Sequence, residues 1–282
     1  MRLSSLADRR KLRLHAWRRF KALRRAFRPP VPSRPVFVLG RQRSGTSMLM
    51  YLLEMHSETE IYDEADRSPV FHRFRLVSYE AVEAAVGRSR APVVCLKPIC
   101  DSHLATGMLA RFPDARVVWL YRGFADAARS AVGMWATADR ALRRVCRGEG
   151  DGGWFEEGLT PSTLEILRRV YRDDLSALEC TCLGWWARNR LVLEQGLAER
   201  PEVHLLRYED LVGDVEARTR KLFGFLDLPF QARVTRHVHS RSVRAAVPPD
   251  LDPEVRELCA SLEEELDGLV PRNRAAGRRH SP

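Results

Sequence analysis

The sequence predicts a single α/β domain in which a central parallel sheet lies between two layers of helices. Two observations indicate this fold. Short apolar runs alternate with helical stretches along the chain, and a glycine-bounded loop separates the first such run from the helix after it. Strands that are covered on both faces appear as short, continuous apolar runs, because neither side of the sheet meets water. With 282 residues, the chain is long enough to bury the core of one such domain.

The positive charge of the chain is concentrated in its first 34 residues. The formal net charge is +10, but residues 1–34 hold twelve Lys or Arg and a single acid, Asp8, so the remaining residues are close to neutral. This distribution argues against a nucleic-acid partner for the folded part of the protein. We therefore expect a basic amphipathic extension at 1–34, a folded domain at 35–274 and a short tail at 275–282.

The basic extension has the spacing of an amphipathic helix. Its apolar positions are Leu3, Leu6, Leu14, Trp17, Phe20, Leu23 and Phe27, followed by Pro29, Pro30, Pro32 and Pro35. Such a helix can lie on an anionic membrane surface or dock on a partner. The alternatives are a solvated extension and a helix packed against its own domain. Because the sequence has neither the ~18–20 apolar residues of a membrane span nor a secretory signal, we expect a cytoplasmic protein with peripheral membrane contact as one option.

Strands and helices alternate after the prolines. The first strand, Val36–Leu39, ends at Gly40, and a helix is predicted from Thr46 to His56. The pair Thr160-Pro161 begins a later helix, because Thr is a good N-cap and Pro suits the first helical turn. Further strands are predicted at 92–96, 115–121 and 203–206, and further helices at 101–112, 125–135, 160–197 (two helices) and 215–226.

The loop Gly40–Ser47 has the spacing of a phosphate-binding loop. It matches the pattern G-x-x-x-x-G-K-[ST], except that Thr46 stands where the pattern has lysine. Backbone amides and a helix N-terminus in this position bind anions. The missing lysine argues against nucleoside-triphosphate chemistry. Arg43 and the hydroxyls of Ser44, Thr46 and Ser47 can still hold a phosphate or sulfate. A tight strand–helix turn with incidental serines is the alternative.

This loop, and above all the run Arg43-Ser44-Gly45-Thr46, resembles the 5′-phosphosulfate loop of sulfotransferases. The form is similar to that of the tyrosylprotein sulfotransferase branch and its bacterial relatives. The resemblance implies a three-layer fold like that of P-loop proteins, with 3′-phosphoadenosine 5′-phosphosulfate (PAPS) as the co-substrate. It also implies donor-binding roles for Arg43, Ser44, Gly45, Thr46 and Ser47. In-line sulfuryl transfer of this kind requires no metal.

A second pair of residues agrees with the resemblance. Arg122 follows the predicted strand 115–121, and Ser130 lies eight residues later, two turns into the next helix. In sulfotransferases these positions hold the 3′-phosphate of the donor. The alternative is an unrelated surface arginine and helix serine.

Sulfuryl transfer also needs a base for the acceptor proton and a cation for the charge that develops on the leaving phosphate. Glu64 lies twenty-one residues after Arg43, where the resemblance places the base; Asp63 and Asp66 are rivals, and a solvated acidic loop is the alternative. Lys97 follows a strand, at the edge where α/β enzymes bind ligands. Its segment, Leu96-Lys97-Pro98, resembles the catalytic lysine segment of that branch but lacks the usual Asp, and a lysine that ends a strand is the alternative.

A late segment, Leu206–Val212, resembles a strand-and-helix block common to sulfotransferases. The resemblance places Tyr208 near the adenosine, whereas a core tyrosine is the alternative. The stretch Ser240–Ser242 is a candidate for closing over the nucleotide. Further along the surface, the glycine-rich run 148–153 is a candidate lid, while Trp185 and Trp186 are expected in the core.

Two other functional classes remain open at this point. One is a small-molecule kinase or nucleoside triphosphatase on the same fold, and the other is a non-catalytic binding protein that retains the loop. No CxxC pair or clustered His indicates a metal site, and the six cysteines are expected to be reduced thiols. The sequence does not distinguish a sugar, phenol, lipid, peptide tyrosine or small alcohol as acceptor, and it does not indicate an oligomeric state.

Overall fold

A computed structural model describes residues 6–27, 29, 31–65, 68–149, 153–236 and 250–276, with side chains from Leu14 to Val270 within these ranges. The strands are β1 (Arg34–Gly40), β2 (Thr59–Asp63), β3 (Phe71–His72), β4 (Arg75–Leu76), β5 (Val93–Lys97), β6 (Arg116–Tyr121) and β7 (Val203–Arg207). Five of them form a parallel sheet in the order β2-β5-β1-β6-β7, and β3 pairs with β4 as a small hairpin.

Helices cover both faces of the sheet. They are α1 (Leu6–Ala26), α2 (Thr46–Met55), α3 (Tyr79–Arg88), α4 (Ala105–Arg111), α5 (Phe124–Val132), α6 (Arg140–Arg147), α7 (Pro161–Val170), α8 (Ala177–Glu194), α9 (Tyr208–Gly213), α10 (Val215–Phe225) and α11 (Pro253–Ala276). The predicted three-layer α/β fold is therefore confirmed.

Alternating residues of each central strand belong to different core layers. In β1, Phe37 and Leu39 pack into one layer with residues of α4, α5, α8 and α11, whereas Val36 and Val38 pack into the other with α2 and α10. All four side chains are fully buried. The two-residue period of a strand thus explains why the apolar run is continuous in sequence.

The order of the strands puts a cleft at one edge of the sheet. The chain begins in the central strand β1, continues to β2 and β5 on one side, and then crosses to β6 and β7 on the other. Because all five strands are parallel, their carboxyl ends lie at the same edge, and the change of direction beside β1 opens a crevice there. Each predicted site residue follows the carboxyl end of a strand or lies in the helix after it.

Most predicted elements are present, and the differences have local causes. Thr160 caps α7 by accepting a hydrogen bond from the Thr163 amide at 3.2 Å. The helix predicted at 101–112 is instead a 3₁₀ helix, Ile99–Leu104, that leads into α4. The edge strand β2 was not predicted, because four of its five residues are only partly buried and Ile61 is its one aliphatic residue. Helices α3, α6, α9 and α11 and the hairpin strands β3 and β4 were also not predicted.

The N-terminal helix α1 packs against the domain. Trp17 Nε1 donates a hydrogen bond to the Glu54 carbonyl at 2.8 Å, and Lys21 forms a buried ion pair with Glu54 at 2.6 Å. Of the arrangements expected for the extension, packing on its own domain is the one observed for the described part of α1. The boundaries at 34 and 274 stay predictions; Arg34 is the first residue of β1. No helix among the described residues combines the length and the apolar character that crossing a membrane requires.

Candidate active site

The loop after β1 leaves the sheet through a glycine that no other residue can replace. Gly40 has φ 130°, in the region that favours glycine, and a Cβ there would overlap the carbonyl oxygen of Leu120 in β6. Ser102 also holds this glycine in place, because its hydroxyl donates a hydrogen bond to the Gly40 carbonyl at 3.0 Å. The loop therefore starts from a fixed position between β5 and β6.

The loop itself forms an anion cradle. Arg43 and Gly45 both have positive φ, 71° and 92°, so the backbone curls and leads into α2. Gly45 is the N-cap of α2, and no side chain caps the helix there. The buried Ser44 Oγ has no hydrogen-bond partner among the described residues. An uncapped helix N-terminus beside an unpaired hydroxyl fits a phosphate or sulfate oxygen.

Arg43 connects the loop to helix α5. Its Nε donates a hydrogen bond to Ser130 Oγ at 3.0 Å, and its guanidinium lies 5.7 Å from the centre of the Trp135 ring. Two predicted site residues that are 87 positions apart thus meet at the mouth of the cradle. Trp135 was not predicted at the site, because no local pattern in the sequence indicates its contact with Arg43.

Lys97 is the centre of the second group of predicted residues. It ends β5 and is the register partner of Asp63, which ends β2. Its Nζ lies 2.9 Å from Asp63 Oδ2, 3.7 Å from Glu64 Oε1 and 3.4 Å from Ser47 Oγ. A buried ammonium therefore lies between the cradle and two carboxylates.

Glu64 lies in an environment that disfavours its charge. Burial raises the pKa of its carboxyl to about 8, partly opposed by Lys97 and reinforced by the neighbouring Asp63. Only 9% of the side chain is exposed, and Oε2 has no hydrogen-bond partner among the described residues. A carboxyl with a raised pKa in a cleft is suited to accept a proton near neutral pH.

Arg122 and Tyr208 line the other side of the cradle. The Tyr208 ring packs directly against Gly45, so that a Cβ at Gly45 would overlap the ring. The Arg122 guanidinium lies 4.9 Å from the centre of that ring. It also lies 3.6 Å from Asp126 and 3.9 Å from Glu209. Ser130, predicted to act with Arg122, is joined to the cradle through Arg43.

A second loop arginine was missed by the sequence analysis. Arg41 is buried against Gly184 of α8, and its Nη1 has no hydrogen-bond partner among the residues described. Burial lowers the pKa of its guanidinium to about 10. In the sequence, only the position of Arg41 directly after Gly40 indicates that it lies near the phosphate-binding loop.

The segment after the predicted lid is fixed to the domain. Arg188, buried in α8, donates through Nη1 to the carbonyls of Glu157 at 2.8 Å and of Trp154 and Phe155 at 3.3 Å. The predicted lid, 148–153, is only partly within the described residues, and Asp66 and Ser240–Ser242 lie outside them. Trp185 and Trp186 are buried in the core, as expected.

The cysteines and potential metal ligands add no further site. All six cysteines are free thiols, and five of them are buried. Within the described ranges, no group of three or more His, Cys, Asp or Glu is placed to hold a metal ion. The cleft therefore contains the loop Gly40–Ser47, the cations Lys97 and Arg122, and the carboxyl groups of Asp63 and Glu64.

Comparison with known proteins identifies the family. A family model for the sulfotransferase domain matches residues 33–246. No curated protein matches the chain.

Solved structures with a similar fold include three sulfotransferases. The sulfotransferase domain from the curacin biosynthetic pathway is 16% identical, with a TM-score of 0.49 over 83% of this chain and 99% of that one. A sulfotransferase from Alicyclobacillus acidocaldarius is 21% identical, with a TM-score of 0.48 over 88% of this chain and 100% of that one. A mouse sulfotransferase complexed with 3′-phosphoadenosine 5′-phosphate (PAP) is 13% identical, with a TM-score of 0.48 over 88% of each chain. Because the family model covers most of the sequence, the chain belongs to the sulfotransferase domain family, whose members use PAPS as co-substrate, and it is an enzyme of sulfuryl transfer.

Proposed function

We propose that this enzyme moves the sulfuryl group of PAPS to a hydroxyl or amine acceptor by in-line displacement. The observation that carries the proposal is the placement of Lys97 between the anion cradle and Glu64. Its Nζ is 3.4 Å from Ser47 Oγ, in the first turn of α2, and 3.7 Å from Glu64 Oε1. A cation for the leaving group and a base for the acceptor are thus adjacent, as the reaction requires.

The described residues fit the donor. The unpaired Ser44 hydroxyl and the uncapped N-terminus of α2 suit the 5′-phosphosulfate, with Arg43 beside them. Thr46 and Ser47 form the first turn of that helix and add hydroxyls to the same region. We assign the 3′-phosphate to Arg122 and Ser130.

Tyr208 is assigned to the adenosine side of the donor site. Its ring packs against Gly45, so it lies beside the loop that holds the 5′-phosphosulfate. The cation–π contact with Arg122 keeps an arginine at the same wall of the cleft.

The chemistry divides between three side chains. Glu64 takes the proton of the acceptor as the acceptor atom bonds to sulfur. The bond between sulfur and the bridging phosphate oxygen breaks, and Lys97 and Arg43 stabilise the charge left on that oxygen. PAP leaves with both electrons of the broken bond, and the proton stays on Glu64 until solvent removes it.

Asp63 is a positioning residue in this mechanism. Its Oδ2 is 2.9 Å from Lys97 Nζ, closer than Glu64 Oε1 at 3.7 Å. The tighter ion pair holds the lysine at the strand end, while burial keeps the pKa of the Glu64 carboxyl raised and the neighbouring Asp63 adds to this. Asp63 therefore fixes the position of Lys97 at the end of β5.

Turnover of PAPS tests the proposal. Purified protein is incubated with PAPS and a panel of phenols, alcohols and amines, while PAP release and the mass gain of each acceptor are measured. Wild-type protein should sulfate one class, and Glu64→Gln and Lys97→Met should each lower the rate by about 10²-fold or more. Glu216→Gln, an exposed glutamate of α10, is the matched control and should be unchanged. Magnesium-dependent ATP turnover without PAPS turnover would contradict the proposal and establish the kinase alternative.

A further inference from the structure

We propose that helix α1 and the turn after it attach the enzyme to an anionic lipid bilayer through an apolar stripe formed by Phe20, Leu23 and Phe27. This apolar stripe is exposed, although large apolar side chains of a packed helix normally turn toward the domain. The exposed fractions of the three residues are 52%, 62% and 84%. Membrane attachment through this stripe is independent of the chemistry at the active site.

The opposite face of α1 is polar and buried. Lys21 Nζ donates to the carbonyls of Glu54 at 2.7 Å and Thr59 at 2.9 Å, in addition to its ion pair with the Glu54 carboxylate. Arg25 donates to the carbonyls of Ser57, at 3.1 Å, and Thr59. Because these contacts satisfy buried backbone oxygens, they fix the rotation of α1 about its axis.

That rotation directs the apolar stripe away from the domain. Successive residues of a helix are ~100° apart, so Leu23 lies ~200° from Lys21 and ~60° from Phe20. Phe27 follows in the turn directly after α1. Trp17, by contrast, is turned toward Glu54 and stacks with Phe20, their ring centres 5.5 Å apart. The stripe is therefore a coherent outer face and not a set of scattered exposed residues.

Arginines flank the stripe on both sides. By the same helical spacing, Arg19 and Arg24 lie on either side of the stripe, and both are exposed. The surrounding extension carries twelve Lys or Arg against one acid. An apolar face bordered by cations is the arrangement with which an amphipathic helix lies in the headgroup region of an anionic membrane. Charge complementarity thus favours an anionic bilayer over a protein groove as the occupant.

Attachment through this face leaves the active site open. Helix α1 contacts the domain at Glu54 and Thr59, which are at the end of α2 and the start of β2. The anion cradle is at the other end of α2, ~12 Å away by the helical rise of eight residues. Glu64 likewise follows the far end of β2. The lipid surface would therefore lie behind the catalytic edge of the sheet.

Vesicle flotation with the full-length protein tests the inference. Wild-type protein should float with phosphatidylcholine vesicles that contain about 30% phosphatidylserine, and much less with pure phosphatidylcholine. The triple variant Phe20→Ser/Leu23→Ser/Phe27→Ser and the double variant Arg19→Glu/Arg24→Glu should each reduce the floated fraction about tenfold. Both sets of residues are exposed, so unchanged thermal melting is expected and serves as the folding control.

The control variant is Phe74→Ser/Val77→Ser, which removes two exposed apolar residues from the region of the β3–β4 hairpin. It should float like the wild type. Equal flotation of the triple variant and the wild type would overturn the inference. Loss of a dimer in the triple variant without loss of flotation would overturn it too, because the stripe would then be a contact between two copies of the chain.

Discussion

Replacing Glu64 with glutamine should stabilise the free protein while it abolishes sulfuryl transfer. Burial raises the pKa of this carboxyl from 4.5 to about 8. Between these two values the folded protein binds a proton that the unfolded chain has released, so the folded state loses stability as the pH rises. Glutamine has the shape of the protonated acid and carries no charge, so the variant avoids this loss.

The size of the effect follows from the pKa difference. At pH 7 the loss is ~1.4 kcal/mol for each of the ~2.5 pH units above 4.5, which gives an upper limit of about 3.5 kcal/mol. An amide matches the contacts of the protonated acid imperfectly, so we expect a net gain of about 1–2 kcal/mol. For a domain of this size that gain raises Tm by roughly 3–6 °C.

Differential scanning fluorimetry across pH measures this effect. The Tm difference between Glu64→Gln and wild type should be small at pH 5 and should grow up to pH 8. The exposed control Glu216→Gln should show no such trend. In the wild type, kcat/KM should rise with pH up to about 8, because the base must lose its proton first. A variant that is less stable than wild type throughout this range would refute the reasoning, since it would show that Glu64 is ionised and stabilised by Lys97.

Two further substitutions test the loop and the N-terminal helix. Gly45→Ala should abolish PAP binding, because the new Cβ overlaps the Tyr208 ring and the φ of 92° disfavours alanine; Gly224→Ala, with open space around its Cβ, should bind normally in the same calorimetric titration. Lys21→Ala should destabilise the protein by about 2 kcal/mol in urea unfolding, because Glu54 keeps only Arg18 as its cation and the buried carbonyls of Glu54 and Thr59 lose a charged donor. A loss below about 1 kcal/mol would show that α1 is not held by Lys21.

The sequence was sufficient to predict four of the five strands of the central sheet and the sheet edge at which ligands bind. The strands β1, β5, β6 and β7 are buried on both faces and therefore appear as unmistakable apolar runs. Parallel strands gather their carboxyl ends at one edge, so residues that follow those runs are expected near one another. Lys97 and Arg122 were found in this way. The roles assigned to them stay predictions.

The contacts within the site could not be predicted, because they depend on register and on distant packing. Lys97 pairs with Asp63 only because β2 and β5 align these two residues, and β2 is too polar to be recognised as a strand. Arg43 meets Ser130 across 87 positions of the chain. No local pattern in the sequence encodes either contact.

The orientation of α1 on the domain could not be predicted from the sequence either. The apolar residues of the extension appear there as one stripe. In the structure Trp17 turns inward and Phe20 turns outward, because Lys21 and Arg25 find buried carbonyl partners at the end of α2. Burying two cations on the domain and leaving apolar side chains outside reverses the usual amphipathic pattern.

Calorimetric titration with PAP tests the central claim, a donor site built from the loop and Arg122. We expect micromolar binding of PAP by the wild type, and a loss of about 1.5–3 kcal/mol for Arg122→Ala, the range for a hydrogen bond to a charged group. Arg116→Ala, at the opposite end of the same strand, is the matched control and should bind like the wild type. No binding of PAP, or tighter binding of ATP with magnesium, would contradict the account.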